Sequence, residues 1–259
     1  MTIDMSMWSG RIDAAEGDTA RRWHQVVQPL AAGAAPGIAI LGFACDEGVR
    51  RNQGRTGAVA GPQALRRALA NLAYHPTLPL YDAGTISCDD GDLDAAHQRL
   101  AARVSAIVYA GHLPLVLGGG HETAFGHWLG LADAHQDKRI GIVNFDAHFD
   151  LRTADEATSG TPFAQIAAEC AKRGQHFRYL CLGVAETANT RALFDAAANL
   201  GADLKLVGKD FGITRLDHQW SFHMGEVHRH ALPVPALRGE YQMINAAAAL
   251  AALEGLRPL

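Results

Sequence analysis

Short apolar segments that alternate with helix-compatible stretches constrain the fold of this chain more than any other feature. They are GIAILGF at 37–43, LPLVLGGGHE at 113–122, RIGIVNFDAHFDLR at 139–152 and FRYLCLGV at 177–184. Strands that alternate with helices in this way form a parallel sheet with helices on both faces. We therefore predict an α/β fold built on a three-layer, doubly wound, mostly parallel sheet.

Three ionisable side chains follow the third apolar segment at a spacing of two: Asp146, His148 and Asp150. If the strand that begins near residue 140 continues through them, all three point to one face. Carboxylate oxygen together with neutral imidazole suits manganese or zinc, whereas calcium sites are almost entirely oxygen. The pattern predicts a divalent metal site, although each residue taken singly is equally compatible with a helix cap or a loop contact.

His121 follows three glycines at the end of another predicted strand. Ligands of open parallel sheets bind beyond the carboxyl ends of the strands. We therefore expect His121 to face residues 146–150 across neighbouring strands, and we predict one site formed by four side chains: His121, Asp146, His148 and Asp150.

A long, glycine-containing loop follows the first strand and carries Arg50, Arg51, Asn52 and Arg55. Long loops at strand ends often carry functional residues, and guanidinium groups bind carboxylates through paired hydrogen bonds. The loop therefore predicts a carboxylate-binding segment. The alternative is that these arginines pair with acidic residues of the protein itself.

Bulk properties favour an ordinary globular protein that acts on a small molecule. The 259 residues carry a formal charge of -4, which gives no indication of nucleic-acid binding, and we expect neither a nucleic acid nor a membrane as partner. No apolar run reaches the roughly 18 residues needed to cross a membrane. The four cysteines form no C-x-x-C pair, so we expect reduced thiols and a cytoplasmic location; homo-oligomerisation is left open.

The motifs GGGHE at 118–122 and NFDAHFDLR at 144–152 resemble the metal signatures of the ureohydrolase family of arginases and agmatinases, and in detail those of formimidoylglutamases. This resemblance implies two manganese ions that share a hydroxide. By position, His121 and Asp150 would hold one ion, His148 the other, and Asp146 both.

The same resemblance implies a substrate site. DEGVRRN at 46–52 is similar to a formimidoylglutamase loop, and arginases and agmatinases tend to have a histidine where this chain has Ser159. The substrate-binding residues implied are Asn52, Arg55, Asn144 and Ser159. The implied reaction is hydrolysis of the C=N bond of N-formimidoyl-L-glutamate to L-glutamate and formamide. An agmatinase or guanidinobutyrase is the alternative enzyme.

From about residue 201 the resemblance changes. The D-x-D pair that completes both metal shells in ureohydrolases is absent, and GKDFG, LPVPALRGEYQMIN and neighbouring residues resemble a fragment of folylpolyglutamate or dihydrofolate synthase. We therefore expect a hybrid chain: a metal-binding domain at 1–200 and an unrelated tail at 201–259 in place of the C-terminal strands. The tail lacks a phosphate loop, which argues against a ligase.

The missing aspartates predict impaired chemistry. Two dications about 3.5 Å apart repel each other by roughly 19 kcal/mol at an effective dielectric of about 20, and only Asp146 and Asp150 offset this. We expect one tight manganese site or fewer and strongly reduced activity. A non-catalytic or single-metal relic is therefore a second reading.

Overall fold

The computed structural model of the protein describes residues 3–75, 77–182, 190–199, 203–235 and 241–256. The chain divides into two compact units. The first comprises Met1–Lys138 and Arg152–Ile166, and the second comprises Arg139–Leu151 and Ala167–Leu259. These units are defined by contacts and differ from the predicted boundary at residue 200. That boundary separates two proposed sequence origins and stays a prediction.

The described helices and strands alternate along most of the chain, as predicted. The helices are α1 (Trp23–Val26), α2 (Glu47–Arg51), α3 (Gly61–Ala70), α4 (Leu93–Tyr109), α5 (Thr123–Ala134), α6 (Pro162–Lys172), α7 (Thr190–Asn199) and α8 (Tyr241–Leu256). The strands are β1 (Gln28–Pro29), β2 (Ile38–Ala44), β3 (Leu80–Ser87), β4 (Leu113–Leu117), β5 (Ile142–Phe145), β6 (Tyr179–Leu182), β7 (Asp203–Lys205), β8 (Phe211–Arg215), β9 (Gln219–Met224) and β10 (Val227–Pro233).

The first unit contains a parallel sheet in the order β1-β3-β2-β4. Its central strand β2 is apolar on both faces. Leu41 and Phe43 pack with residues of α4, whereas Ile40 packs with Ala70 of α3 and with Trp8. Strands buried on both faces are typical of parallel sheets covered by helices on two sides, so this unit has the doubly wound arrangement that the sequence predicts.

A buried ion pair ties the N-terminal arm and α3 to β3. Arg66 donates to both oxygens of Asp82, at 2.7 and 3.0 Å, and the indole N–H of Trp8 donates to Asp82 at 2.7 Å. All three residues are buried. Because the carboxylate has several donors, its burial is compensated, and the arm is fixed to the first unit at this point.

The second unit contains two sheets. Strands β5, β6 and β7 are parallel, with Asn144 opposite Cys181 and Leu182 opposite Lys205. Strands β8, β9 and β10 form an antiparallel meander, so residues 211–233 do not continue the parallel sheet. Within the predicted tail, β7 and the β8–β10 meander are followed by helix α8.

The core of the second unit joins the predicted tail to the preceding sheet. Leu182 of β6 lies in one apolar cluster with Phe211, Phe222 and Ala251. Helix α8 therefore covers apolar residues of β6 as well as those of the meander. None of the described helices has the length and apolar character needed to span a membrane.

Candidate metal centre

The segment 146–150 is a turn rather than a continued strand. Strand β5 ends at Phe145, and Asp146 Oδ1 accepts a hydrogen bond from the backbone N–H of His148 at 2.8 Å. This contact is an Asx turn, which competes with extended backbone. Strand alternation therefore does not place Asp146, His148 and Asp150 on one face, contrary to the prediction.

The turn nevertheless brings the ionisable groups close together. A carboxylate oxygen of Asp146 and one of Asp150 lie within 4.8 Å of each other. The ring Nδ1 of His148 lies 3.2 Å from Asp146 Oδ1, and this ring is 77% exposed. Two carboxylates and an imidazole fit a divalent cation such as manganese or zinc, so the donor chemistry of this turn is compatible with the expected metal.

Asp150 adopts a backbone conformation that costs free energy. Its φ is 46°, in the left-handed region where glycine is favoured and where aspartate is tolerated. Non-glycine residues in this region cluster at functional sites. The backbone of Asp150 therefore has a conformation that is uncommon in general and frequent at functional sites.

A buried hydrogen-bonded frame holds the turn against β6. Tyr179 O–H donates to the carbonyl of Phe149 at 2.9 Å and accepts from Asn144 Nδ2 at 3.0 Å. The thiol of Cys181 donates to the carbonyl of His148 at 3.4 Å. Burial raises the pKa of Cys181 to about 11 and also raises the pKa of Tyr179, so both groups keep the protons that they donate.

In the first unit, His121 follows the glycine-rich turn after β4. Its ring packs edge-on against Phe163 with centroids 5.5 Å apart. The glycines are required sterically, because a Cβ at Gly119 would lie 1.9 Å from the carbonyl oxygen of Cys45 and one at Gly120 would lie 2.0 Å from Glu122 Oε2. The glycines of the GGGHE motif are therefore explained by close packing against Cys45 and Glu122, whether or not His121 binds a metal.

Glu122, which the sequence motifs did not single out, is fully buried beside His121. Its Oε1 accepts the N–H of Gly48 at 3.1 Å, and its backbone carbonyl accepts the Nε2–H of the buried His97 at 2.9 Å. Burial raises the pKa of Glu122. Glu122 therefore connects α4, the His121 turn and α2. The glycines beside it were the only indication in the sequence that this turn is tightly packed.

The arginines of the loop divide into two groups. Arg50 and Arg51 both pair with Glu47, at 2.6 and 2.8 Å, and these hydrogen bonds lower the pKa of Glu47 to about 2. For these two arginines the alternative reading, pairing within the protein, is therefore the correct one. Arg55 is exposed.

Asn52 and Asn144 are held through their side chains, whereas Ser159 is held through its backbone. Asn52 Oδ1 accepts from Arg152 at 3.2 Å, and Ser159 N–H donates to the carbonyl of Gly48 at 3.0 Å. Asn144 is buried in the frame beside Tyr179. The structure thus brings Asn52 and Ser159 to the same α2 segment of the first unit, and substrate contact by Asn52, Arg55, Asn144 and Ser159 stays a prediction.

Comparison with known proteins identifies one family. A sequence model of the arginase family matches residues 36–215. Formimidoylglutamase from Chromobacterium violaceum is 73% identical over 204 residues, which are 79% of this chain and 66% of that protein. Formimidoylglutamase from Aeromonas hydrophila is 56% identical over 233 residues, covering 83% of this chain and 74% of that protein. The chain thus spans about two thirds of the length of the Chromobacterium relative.

Solved structures show the same fold. The crystal structure of formimidoylglutamase from Bacillus subtilis has a TM-score of 0.64 at 22% identity, covering 76% of this chain and 62% of that one. A crystal structure of Trypanosoma cruzi formiminoglutamase with Mn²⁺ has a TM-score of 0.51 at 29% identity, covering 68% and 71%. The predicted α/β fold class is confirmed.

Proposed function

Because the chain belongs to the arginase family, we propose that it is a formimidoylglutamase that hydrolyses N-formimidoyl-L-glutamate to L-glutamate and formamide. The observation that carries this proposal is the 73% identity to the Chromobacterium enzyme. Ser159 and the DEGVRRN segment support it over an agmatinase. The four free cysteines are in keeping with the cytoplasmic location that we also propose.

We propose that His121, Asp146, His148 and Asp150 hold manganese. The support is that both motifs lie inside the family match and that the carboxylates of Asp146 and Asp150 approach each other within 4.8 Å. Manganese held by these residues would supply Lewis-acid activation of water for attack on the formimidoyl carbon. Carboxylates fixed by the Tyr179 frame are preorganised for such a role.

The chain's own residues would orient the substrate. The exposed guanidinium of Arg55 suits a glutamate carboxylate. Asn52, held by Arg152, and Ser159, held by Gly48, are placed on one segment that could position the other end of the molecule. In this scheme, positioning contributes to rate because the reacting groups are held in place before reaction.

The proposed activity is tested by incubating the purified chain with MnCl₂ and N-formimidoyl-L-glutamate while measuring formamide. We expect turnover that is abolished in Asp146→Asn and absent with agmatine. Turnover of agmatine but not of N-formimidoyl-L-glutamate would favour the alternative, an agmatinase. No turnover, together with one manganese equivalent or none in a calorimetric titration, would favour a relic site.

We also propose that the chain has one tight manganese site or fewer and that its activity is low, because this 259-residue sequence lacks the second aspartate pair. The family match runs to residue 215, fifteen residues past the predicted junction at 200. Residues 201–215 of the predicted tail, including GKDFG, thus lie inside the family match, and the folate-ligase resemblance of residues 201–259 remains a hypothesis. Resequencing the coding region around that point tests it, since a frameshift would reveal arginase-family residues in another frame.

A further inference from the structure

Three histidines lie on one face of the antiparallel meander in the second unit. His223 is on β9, and His228 and His230 are on β10. All three are exposed, whereas the alternating residues Trp220 and Phe222 point into the core. The opposite face of this sheet packs into the core, so the three histidines extend from a well-packed sheet.

The three imidazole rings are neighbours on this face of the sheet. His223 and His228 are directly paired across the two strands, with ring centroids 6.4 Å apart. His228 and His230 have centroids 6.0 Å apart and an interplanar angle of 7°. Two imidazoles on a tetrahedral ion with bonds of about 2.0–2.1 Å have centroids about 5 Å apart. The rings are stacked rather than convergent, so binding requires exposed side chains to turn by rotation about their own bonds.

The surrounding backbone leaves room for these rings. Gly212 of β8 is paired with His223, and a Cβ at Gly212 would lie 2.8 Å from the His223 ring. A register shift follows Arg229, and Ala231 has a φ of 56°. Bulges of this kind redirect side chains beside functional sites, and here the irregularity includes His230 and Ala231.

Ser221 offers the supporting contact expected around a metal ligand. Its Oγ lies 3.3 Å from Nδ1 of His230. When Nδ1–H donates to this hydroxyl, Nε2 carries the free lone pair. The hydroxyl would therefore select the tautomer that presents Nε2 to an ion.

From these contacts we propose that His223, His228 and His230 form a binding site for a borderline divalent cation such as Zn²⁺, with a fourth coordination position open. Three neutral nitrogen ligands favour zinc, copper or nickel over manganese, which prefers oxygen. The site is chemically distinct from the carboxylate-containing centre at Asp146 and Asp150. Its existence does not depend on the proposed hydrolase activity.

The test is a calorimetric titration of the full chain with ZnCl₂ after treatment with a chelator, carried out in an Asp146→Asn background that weakens the carboxylate-containing centre. We expect one zinc equivalent in this background. His223→Ala, His228→Ala and His230→Ala should each weaken its binding by about tenfold or more. His218→Ala is the matched control, because His218 is exposed in the β8–β9 connection and should leave binding unchanged.

Two further readouts separate this site from the carboxylate-containing centre. Cobalt bound in place of zinc should give an X-ray absorption signature of three imidazoles that is reduced in His228→Ala. Manganese binding to the otherwise unaltered chain should be insensitive to His228→Ala. The proposal is overturned if zinc binding in the Asp146→Asn background is absent, or if none of the three histidine substitutions weakens it.

Discussion

At the scale of single residues, the arginines near α2 differ in their protein partners, although they are equivalent in the sequence. Arg50 and Arg51 are occupied by Glu47, whereas Arg55 is exposed. A guanidinium that is paired with a carboxylate has fewer N–H donors available to bind a substrate. Arg55 is therefore the arginine of this loop that we expect to bind the glutamate carboxylate.

We predict that Arg55→Ala raises the KM for N-formimidoyl-L-glutamate about tenfold or more with a small change in kcat, since hydrogen bonds to charged groups contribute about 1.5–3 kcal/mol. Steady-state kinetics with manganese measure both parameters. Arg50→Ala is the matched control and should leave KM within about threefold. An unchanged KM in Arg55→Ala would remove the assignment.

His97 gives a pH-dependent prediction at the same scale. Burial lowers its pKa from 6.5 to about 4. Between these values the unfolded chain binds more protons than the folded chain, so stability rises with pH from about 4 to 6.5 and is lost as pH falls through that window. The full effect is about 3 kcal/mol.

Urea unfolding at several pH values tests this prediction. His97→Phe should flatten the rise in unfolding free energy between pH 4 and 6.5, because the variant lacks the titrating group. His75→Phe replaces an exposed histidine and should leave the slope as it is. Equal slopes in all three proteins would contradict the prediction.

At the scale of elements, the turn after β4 depends on glycine. A Cβ at Gly119 would lie 1.9 Å from a backbone oxygen, which side-chain movement does not relieve. We expect Gly119→Ala to destabilise the protein by about 2 kcal/mol or more in chemical denaturation, as other overpacking changes do. Gly141→Ala should be within about 0.5 kcal/mol of the parent protein, because nothing lies within 4 Å of its added Cβ.

The link between β6 and the Asp146 turn gives a second prediction at this scale. Tyr179→Phe removes the hydroxyl that donates to the Phe149 carbonyl but retains the ring. We expect manganese affinity to fall by about tenfold, as happens when groups that orient ligands are removed. Calorimetric titration with MnCl₂ measures this.

Tyr109→Phe is the matched control for that experiment. The Tyr109 hydroxyl donates to the carbonyl of Asp133 on the exposed side of the α4–α5 pair. Its removal should leave manganese affinity unchanged. If Tyr179→Phe binds manganese as tightly as Tyr109→Phe does, the frame has no role in metal binding.

At the scale of the whole molecule, the predicted tail is part of the second unit's core. Phe222 is fully buried in the cluster that includes Leu182 of β6. We expect Phe222→Ala to cost about 3–5 kcal/mol and to speed amide hydrogen exchange in β6 as well as in the meander. Phe145→Ala, at a side chain that is 59% exposed, should do neither. Unaltered exchange in β6 would mean that the tail is energetically independent of it.

The sequence determined the fold class and the residue types available for catalysis. Apolar strands followed by glycine or polar residues favour a parallel sheet through burial alone, and β2, β4, β5 and β6 each begin within three residues of the start of a predicted apolar segment. The family motifs that carry the candidate metal ligands are likewise contiguous in sequence and readable without coordinates.

Only the tertiary structure decided which candidate site residues form hydrogen bonds or ion pairs with other residues of the protein, and with which. The spacing of Asp146, His148 and Asp150 predicted an extended segment, but a local Asx turn competes with strand geometry and wins at the end of β5. The Glu122 and Tyr179 contacts join residues distant in sequence. Periodicity reports only which residues are near one another along the chain, so contacts between separate elements depend on how those elements pack.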